Sequence, residues 1–347
     1  MHVVAVDPLR DVRWAALQGL PEAGLFHSPP WIAALRDAYG FAPRAYVAMD
    51  ATGAARGGIA FCEIDDPLGH RLVSLPFSDA CDPLLTDPGT WVPLSARLAT
   101  HRLPVTFRCL DDRFAAGEGG FQVTKRARWH TLSVTDPAET IRHRFDDATR
   151  RAIAKAERAG VVARPLEGDA GLSEFVRLHA RLRKCKYRLL AQPPAFFAAI
   201  AEHFRPLDGW HPLGAYHGDR LLGATIYLRW RDTLYLKFNA SDQEALELRP
   251  NNLLVWAGVL LAKALGCSAL DLGPSDDNQP GLIRFKRQFG AAERELHFLR
   301  WTPPGSALQP AAELRGVLGE LTQLLTAPAV PDEVTAAAGG LLYRFFA

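Results

Sequence analysis

The sequence has few cysteines and no pattern among them. Cys62, Cys81, Cys109, Cys185 and Cys267 are odd in number and scattered without a CxxC pair. That argues against a disulfide framework and a zinc cluster, and fits a reducing cytoplasm. The eleven histidines include no HExxH and no other pair at metal-ligand spacing, so a reaction with no metal and no bound cofactor is expected. No GxSxG elbow occurs and no serine stands out, which speaks against Ser-His-Asp hydrolysis. The longest apolar run, Leu253 to Ala262, is far short of the roughly 20 residues needed to cross a bilayer, so no transmembrane segment is expected. Contact with a membrane surface stays open. The first residues, Met1-His2-Val3-Val4-Ala5-Val6-Asp7-Pro8, lack the basic and apolar regions of a secretory leader, and a cytoplasmic protein is expected.

What is present is globular: 48% hydrophobic and 22% charged residues over 347 positions, a length that favours two domains. The net charge of +2 is unevenly placed. Residues 142–188 hold 13 Lys/Arg against six Asp/Glu, a local +7 that leaves −5 for the remainder. Such asymmetry implies an anionic partner.

The second half is the easier to read. A strand is expected at Trp129–Val134, a helix over 138–159 stopped by Gly160, and a second helix from Leu172 to Lys186. Pro193-Pro194 open a third helical stretch. Strands follow at Pro212–His217, Leu221–Trp230 and Thr233–Ala240, with Gly218-Asp219 and Arg231-Asp232 as hairpin turns. A helix from Pro250 to Gly266, a strand at Cys267–Leu272, a short helix at Leu282–Phe289 and a strand at Glu293–Trp301 complete the series. That is the element order of the GNAT acyltransferase fold.

The first half repeats the order: helices at Leu9–Leu17 and Pro30–Tyr39, strands at Arg44–Met49, Gly57–Ile64 and Arg71–Leu75, a helix at Trp91–His101, and strands at Val105–Cys109 and Phe121–Lys125. The expectation is an α+β protein of two tandem GNAT-like domains with a central cleft. The first covers 1–130 and is completed by a C-terminal helix within 311–347; the second covers 131–302. Thr302–Pro310 reads as the linker to a helix over Ala311–Thr326.

Several segments resemble a family. The run Asp147 to Val161 is similar to the "R-x-x-I-x-K-A-x-x-x-G-V" helix of the Fem-type aminoacyl transferases, which extend peptidoglycan peptides. Leu178 to Arg183, Gln192 to Phe197, Leu253 to Trp256, Leu270 to Gly273 and Phe285 to Gly290 follow in the family's order. In the first half, Ser28 to Trp31 and Arg36 to Gly40 also match, with Arg36 where the family usually has lysine. The resemblance implies amide formation by direct attack of an amine on an activated carbonyl. It implies aminoacyl-tRNA as donor, slightly ahead of acyl-CoA, with the acceptor amine on a phosphorylated, saccharide or peptide substrate. Two family features are missing. No sustained heptad run supplies a coiled-coil arm. Arg249-Pro250-Asn251-Asn252 stands where ordinary acetyltransferases carry a glycine-rich pyrophosphate loop.

Candidate residues follow. In a GNAT fold the fourth and fifth strands splay to admit the donor, which places Asn239 and Asp276 beside the reacting carbonyl. Amides near Asn239 would serve the oxyanion, and Asp276 would accept the amine proton; the alternative is a solvated loop. Lys286 sits in the segment matching the family's lysine motif and would stabilise the oxyanion or a donor phosphate. Arg249 and Asn251 put donors at a helix N-terminus suited to phosphate, unless the asparagines merely cap it. Arg144, Arg151, Lys155 and Arg158 are expected on one helix flank. Carried over from the family, Arg36 and Arg181 or Arg183 hold an anionic small-molecule acceptor, with Tyr187 and Tyr235 in the same cleft. A monomer is expected. A second class of reading is a GNAT pair that binds an anionic ligand without turnover.

Overall fold

Turn and cap chemistry divides the chain into short elements. The computed structural model describes residues 1–305 and 309–347; part of the linker read over Thr302–Pro310 thus lies outside the described residues. The first half contains β1 (His2–Val6), α1 (Val12–Leu17), α2 (Pro29–Tyr39), β2 (Pro43–Met49), β3 (Ala55–Asp66), β4 (Gly69–Val73), β5 (Leu84–Leu85), α3 (Trp91–Ala99), β6 (Val105–Cys109), α4 (Asp112–Ala115) and β7 (Gln122–Ser133). Then come α5 (Ala138–Arg144), α6 (Asp147–Arg158), β8 (Val161–Pro165), α7 (Gly168–Leu182), α8 (Pro194–Phe204), β9 (Trp210–His217), β10 (Arg220–Trp230), β11 (Thr233–Ser241), α9 (Pro250–Ala264), β12 (Ala269–Asp276), α10 (Pro280–Arg287), β13 (Ala292–Trp301), α11 (Gln309–Leu325) and α12 (Asp332–Leu342). Among the described residues no helix is long and apolar enough to cross a membrane.

By packing, the chain forms two units. One comprises Met1–Ala127, Glu295–Leu321 and Arg344–Ala347; the other comprises Arg128–Arg294 and Thr322–Tyr343. The stretch 311–347, expected to complete the first domain, is therefore shared out, with Thr322–Tyr343 belonging to the second unit.

The first unit orders its strands β1-β2-β3-β4-β6-β13, with β5 on β3. The second orders them β7-β12-β11-β10-β9-β8. Each contains the same device. Three antiparallel strands lead into a helix that crosses to a strand parallel to the third: β2-β3-β4-α3-β6 in the first unit and β9-β10-β11-α9-β12 in the second. A parallel neighbour requires such a crossover. The first core is built on Phe61, Trp91, Phe107 and Phe121, the second on Ile153, Leu254, Trp256 and Phe289.

The helix expected over 138–159 is two helices. Phe145 is extended (ψ 145°), and the carboxylate of Asp146 accepts from the Thr149 amide at 2.7 Å, starting α6. Such a cap is worth about 1 kcal/mol. Arg144 consequently leaves the expected flank: it lies in α5 and pairs with Asp136. The helix read to Lys186 ends at Leu182 and continues as a π-helical turn, Arg183–Tyr187, closed by Arg188 at φ +55°. Strands β1 and β8 and helix α12 were not expected.

Candidate functional site

In the second unit β11 and β12 pair only over Thr233–Tyr235 against Ala269–Asp271. Past Tyr235 and Asp271 the strands have no paired residues, and the cause can be read from β12. Gly273 has φ +70°, a left-handed kink that costs glycine little and turns a strand off its line. Four hydrogen bonds hold the kink. The Gly273 amide donates to Asp271 Oδ1 at 2.7 Å, and Trp129 Nε1 donates to Asp271 Oδ2 at 2.9 Å. Lys286 Nζ donates to the carbonyls of Gly273 and Pro274 at 2.9 and 2.7 Å. On the other strand, pairing with β10 steps from Ile226–Phe238 to Tyr227–Leu236, so Lys237 is an extra, bulged residue.

Near this kink His130 is wholly buried on β7, neither ring nitrogen has a hydrogen-bond partner, and Nδ1 is 3.9 Å from Glu293. Burial, and then the charge of Lys286, push its pKa down to about 4, so the ring is neutral at pH 7.

A cavity of about 380 Å³ lies among α6, the start of α9 and α10. The spacing of Arg151 and Lys155 brings both to it from α6; Asn252 enters from α9 and Arg249 from just before it, Phe285 from α10 and Gln288 from just after it. Three elements are fixed here by packing. Phe289 stacks edge-on against Phe145 (5.0 Å) and Phe285 (5.1 Å). The Asp146 amide donates to the Gln288 carbonyl at 2.9 Å. Arg150 ties His143 and Phe145 carbonyls at the α5–α6 junction. Arg249 has φ +57° and sits before the N-terminus of the fifteen-residue α9, where amides and helix dipole favour anions. Arg151, Lys155 and Arg249 thus put three cations around such a terminus.

The first unit treats the corresponding split differently. There β4 and β6 pair at Leu72–Val105 and Val73–Thr106, and the chain beyond β4 folds back alongside β6. The amides of Ser74 and Cys81 donate to the carbonyls of Thr106 and Arg108, each at 2.8 Å. Asp82 Oδ1 accepts from the amides of Leu110 and Asp111 at 2.9 and 3.0 Å. Leu75 (φ +43°) and Phe77 (φ +61°) adopt the left-handed region to make this path. The edge of β6 is thus occupied by residues 74–82 of its own unit.

The expected site residues fall in different places. Lys286 is 8% exposed, and its ammonium group is engaged by β12. Asn239 is half-buried and donates from Nδ2 to Thr225 Oγ1 at 2.8 Å, toward β10. Asp276 ends β12, with its amide bonded to Gln279 Oε1 at 3.2 Å. Tyr235 stands opposite Asp271 at the last paired step. Arg249 lines the cavity; Asn251 instead turns to Ser241 Oγ at 3.2 Å, and the neighbouring Asn252 reaches the cavity. Arg181 is exposed, 3.3 Å from Glu244, on a separate groove. Arg183 Nε donates to the Leu190 carbonyl at 3.1 Å, and Tyr187 is 44% exposed beside Lys186. Arg36, in the first unit, is exposed and paired with Asp37. The basic cluster is partly structural: Lys184 is buried on Asp332 and the Val330 carbonyl, and Arg188 holds the carbonyls of Thr326 and Gln323. Phe285 and Gln288 were not singled out, although both lie within the Phe285–Gly290 motif.

Residues 143–287 match the acetyltransferase (GNAT) domain family. No curated protein matches the sequence. Among solved structures, the chain is similar to FemX, at 13% identity and TM-score 0.66, over 90% of this chain and 99% of that one. It is similar to L-PGS from Bacillus licheniformis at 12% identity and TM-score 0.56, over 88% and 96%. A tandem GNAT protein from the clavulanic acid biosynthesis pathway gives 16% and 0.56, over 88% and 99%. The fold is therefore two GNAT domains in tandem.

Proposed function

We propose, from the premise that this chain has the Fem-type double-GNAT acyltransferase fold with an acetyltransferase-family domain over residues 143–287, that its second unit transfers an acyl group to an amine. The observation that carries the reading is the contrast between the two strand splits. In the first unit the edge of β6 is taken up by residues 74–82, whereas in the second the kink at Gly273 turns β12 away from β11 and a cationic cavity stands at the helix that follows β11. The donor carbonyl is placed between β11 and β12, and the donor phosphates against Arg151, Lys155 and Arg249.

The amine nitrogen attacks the carbonyl carbon, the bond to the carrier oxygen or sulfur breaks, and one amine proton is lost as the carrier gains one. Backbone amides beside the bulged Lys237 suit the oxyanion. Asp276 is assigned to the proton. Lys286 is assigned the place of β12, and through it the shape of the split. Within the second unit, Arg183 and Tyr187 remain the proposed holders of an anionic acceptor. The donor is aminoacyl-tRNA, ahead of acyl-CoA by the family motifs; acyl-CoA is the second reading, favoured by the match to an acetyltransferase domain.

Purified protein is mixed with an amine panel and either charged tRNA, ribonuclease-treated charged tRNA, or a set of acyl-CoAs, and products are read by mass spectrometry. Transfer lost on ribonuclease treatment supports the first reading, and transfer from CoA alone replaces it with the second. No amide from any donor overturns both.

A further inference from the structure

A larger cavity, of about 680 Å³, lies outside the site above, between α7, α8 and the start of α12. It is a surface groove, and its size is that of a ligand pocket. Its floor is apolar and made largely of small side chains: Leu172, Val176, Ala180, Ala195, Ala198 and Ala336. Ser173 and Thr335 also line it, but their hydroxyls donate to the carbonyls of Asp169 and Leu325 at 2.8 and 2.7 Å, so the small residues on the facing helices leave a largely apolar channel.

The charges at its rim can be assigned one by one. Lys184 is spent on Asp332 at 2.6 Å. Asp169 faces Arg205 at 3.6 Å. Arg181 has only the exposed Glu244 at 3.3 Å, a contact of the kind that contributes little in water. Arg177, one helical turn before it, is exposed and has no ion pair or hydrogen bond to another side chain among the described residues. Glu333, on the α12 wall, and Asp169, whose contact with Arg205 is as exposed, are the remaining acids. Two available guanidinium groups beside an apolar channel complement an anion attached to a hydrocarbon.

We propose that this groove binds a single-chain anionic amphiphile, its chain along the apolar floor and its head group on Arg177 and Arg181. The site does not depend on the acyl-transfer reading. Arg181, which the family resemblance offers with Arg183 as an alternative holder of the acceptor, is here a residue of the groove.

The experiment titrates the full chain with cis-parinaric acid, whose fluorescence rises in apolar surroundings, below its micelle concentration. Binding of one probe per chain is expected, displaced by dodecyl phosphate and not by dodecyltrimethylammonium. Ala195 and Ala198 face solvent, so Ala198→Trp fills the channel without entering the core and should abolish the fluorescence rise; Ala195→Trp is the second filling variant, and circular dichroism confirms folding. Arg177→Glu combined with Arg181→Glu should weaken dodecyl phosphate by about tenfold or more. Absence of stoichiometric binding, or binding indifferent to both kinds of variant, overturns the proposal. So does a dimer by light scattering that Ala198→Trp dissociates, since a second copy would then cover the groove.

Discussion

Lys286 Nζ is bonded to the carbonyl oxygen of Gly273, 2.9 Å away and 13 positions earlier in the chain. With the Pro274 carbonyl at 2.7 Å, this lysine holds the point at which β12 leaves β11. Lys286→Met keeps the apolar stem and removes both hydrogen bonds. Hydrogen bonds from charged groups are worth roughly 1.5–3 kcal/mol each, so the variant should lose about 2–4 kcal/mol in urea unfolding, together with transfer activity. An unchanged unfolding midpoint would mean that the ammonium group does not support the kink.

Two histidines make stability depend on pH. His179 is buried against Phe175 with one nitrogen on Gln192 Oε1 at 2.8 Å, and burial pushes its pKa down to about 4; His130 is lowered to about 4 as well. Unfolding returns each to about 6.5, so between pH 6.5 and 4 the unfolded chain binds more protons and the native state loses stability as pH falls. Above pH 6.5 neither contributes a slope. The expected loss between pH 7 and pH 5 is about 2 kcal/mol per histidine. His130→Leu should remove about half of this dependence, measured by urea unfolding at the two pH values; an undiminished slope would place its origin elsewhere.

A Cβ at Gly339 on α12 would stand 2.6 Å from the Ala191 carbonyl oxygen, too close for any contact and against backbone that must move. Gly339→Ala should cost about 1–3 kcal/mol through overpacking. It should also loosen α12 from the segment in which Arg188 holds the carbonyls of Thr326 and Gln323. Limited trypsin digestion should then cut after Arg188 sooner than in the unsubstituted chain. Equal cutting rates would show that the close approach is relieved without moving α12.

Legibility varied with how local the determining interaction is. The strands β9 to β11 follow from alternation and from turn residues, Gly218-Asp219 and Arg231-Asp232, and their ends came within two residues. The break between α5 and α6 was hidden because Ile141, Phe145, Ala148, Ala152 and Ala156 keep helical spacing across it, while the signal that wins is the Asp146 cap. Strand β8 buries little beyond Val161, so no alternating apolar face announces it. Arg151 and Lys155 were legible as neighbours one turn apart. Lys184 was not distinguishable from the cations around it, since its partner Asp332 lies 148 positions away. Nor could the 680 Å³ groove be foreseen, because α12 forms one of its walls.

The division of the chain has a consequence for the order in which a ribosome delivers it. The strand that pairs with β6 through His297–Trp301 belongs to the first unit, yet the whole of Arg128–Arg294 is synthesised before it. A nascent chain that stops at Arg294 therefore exposes the edge of β6 opposite β4, the one that β13 covers. The first unit begins first and is completed after the main segment of the second, the reverse of the usual sequence in which an N-terminal domain closes before the next emerges.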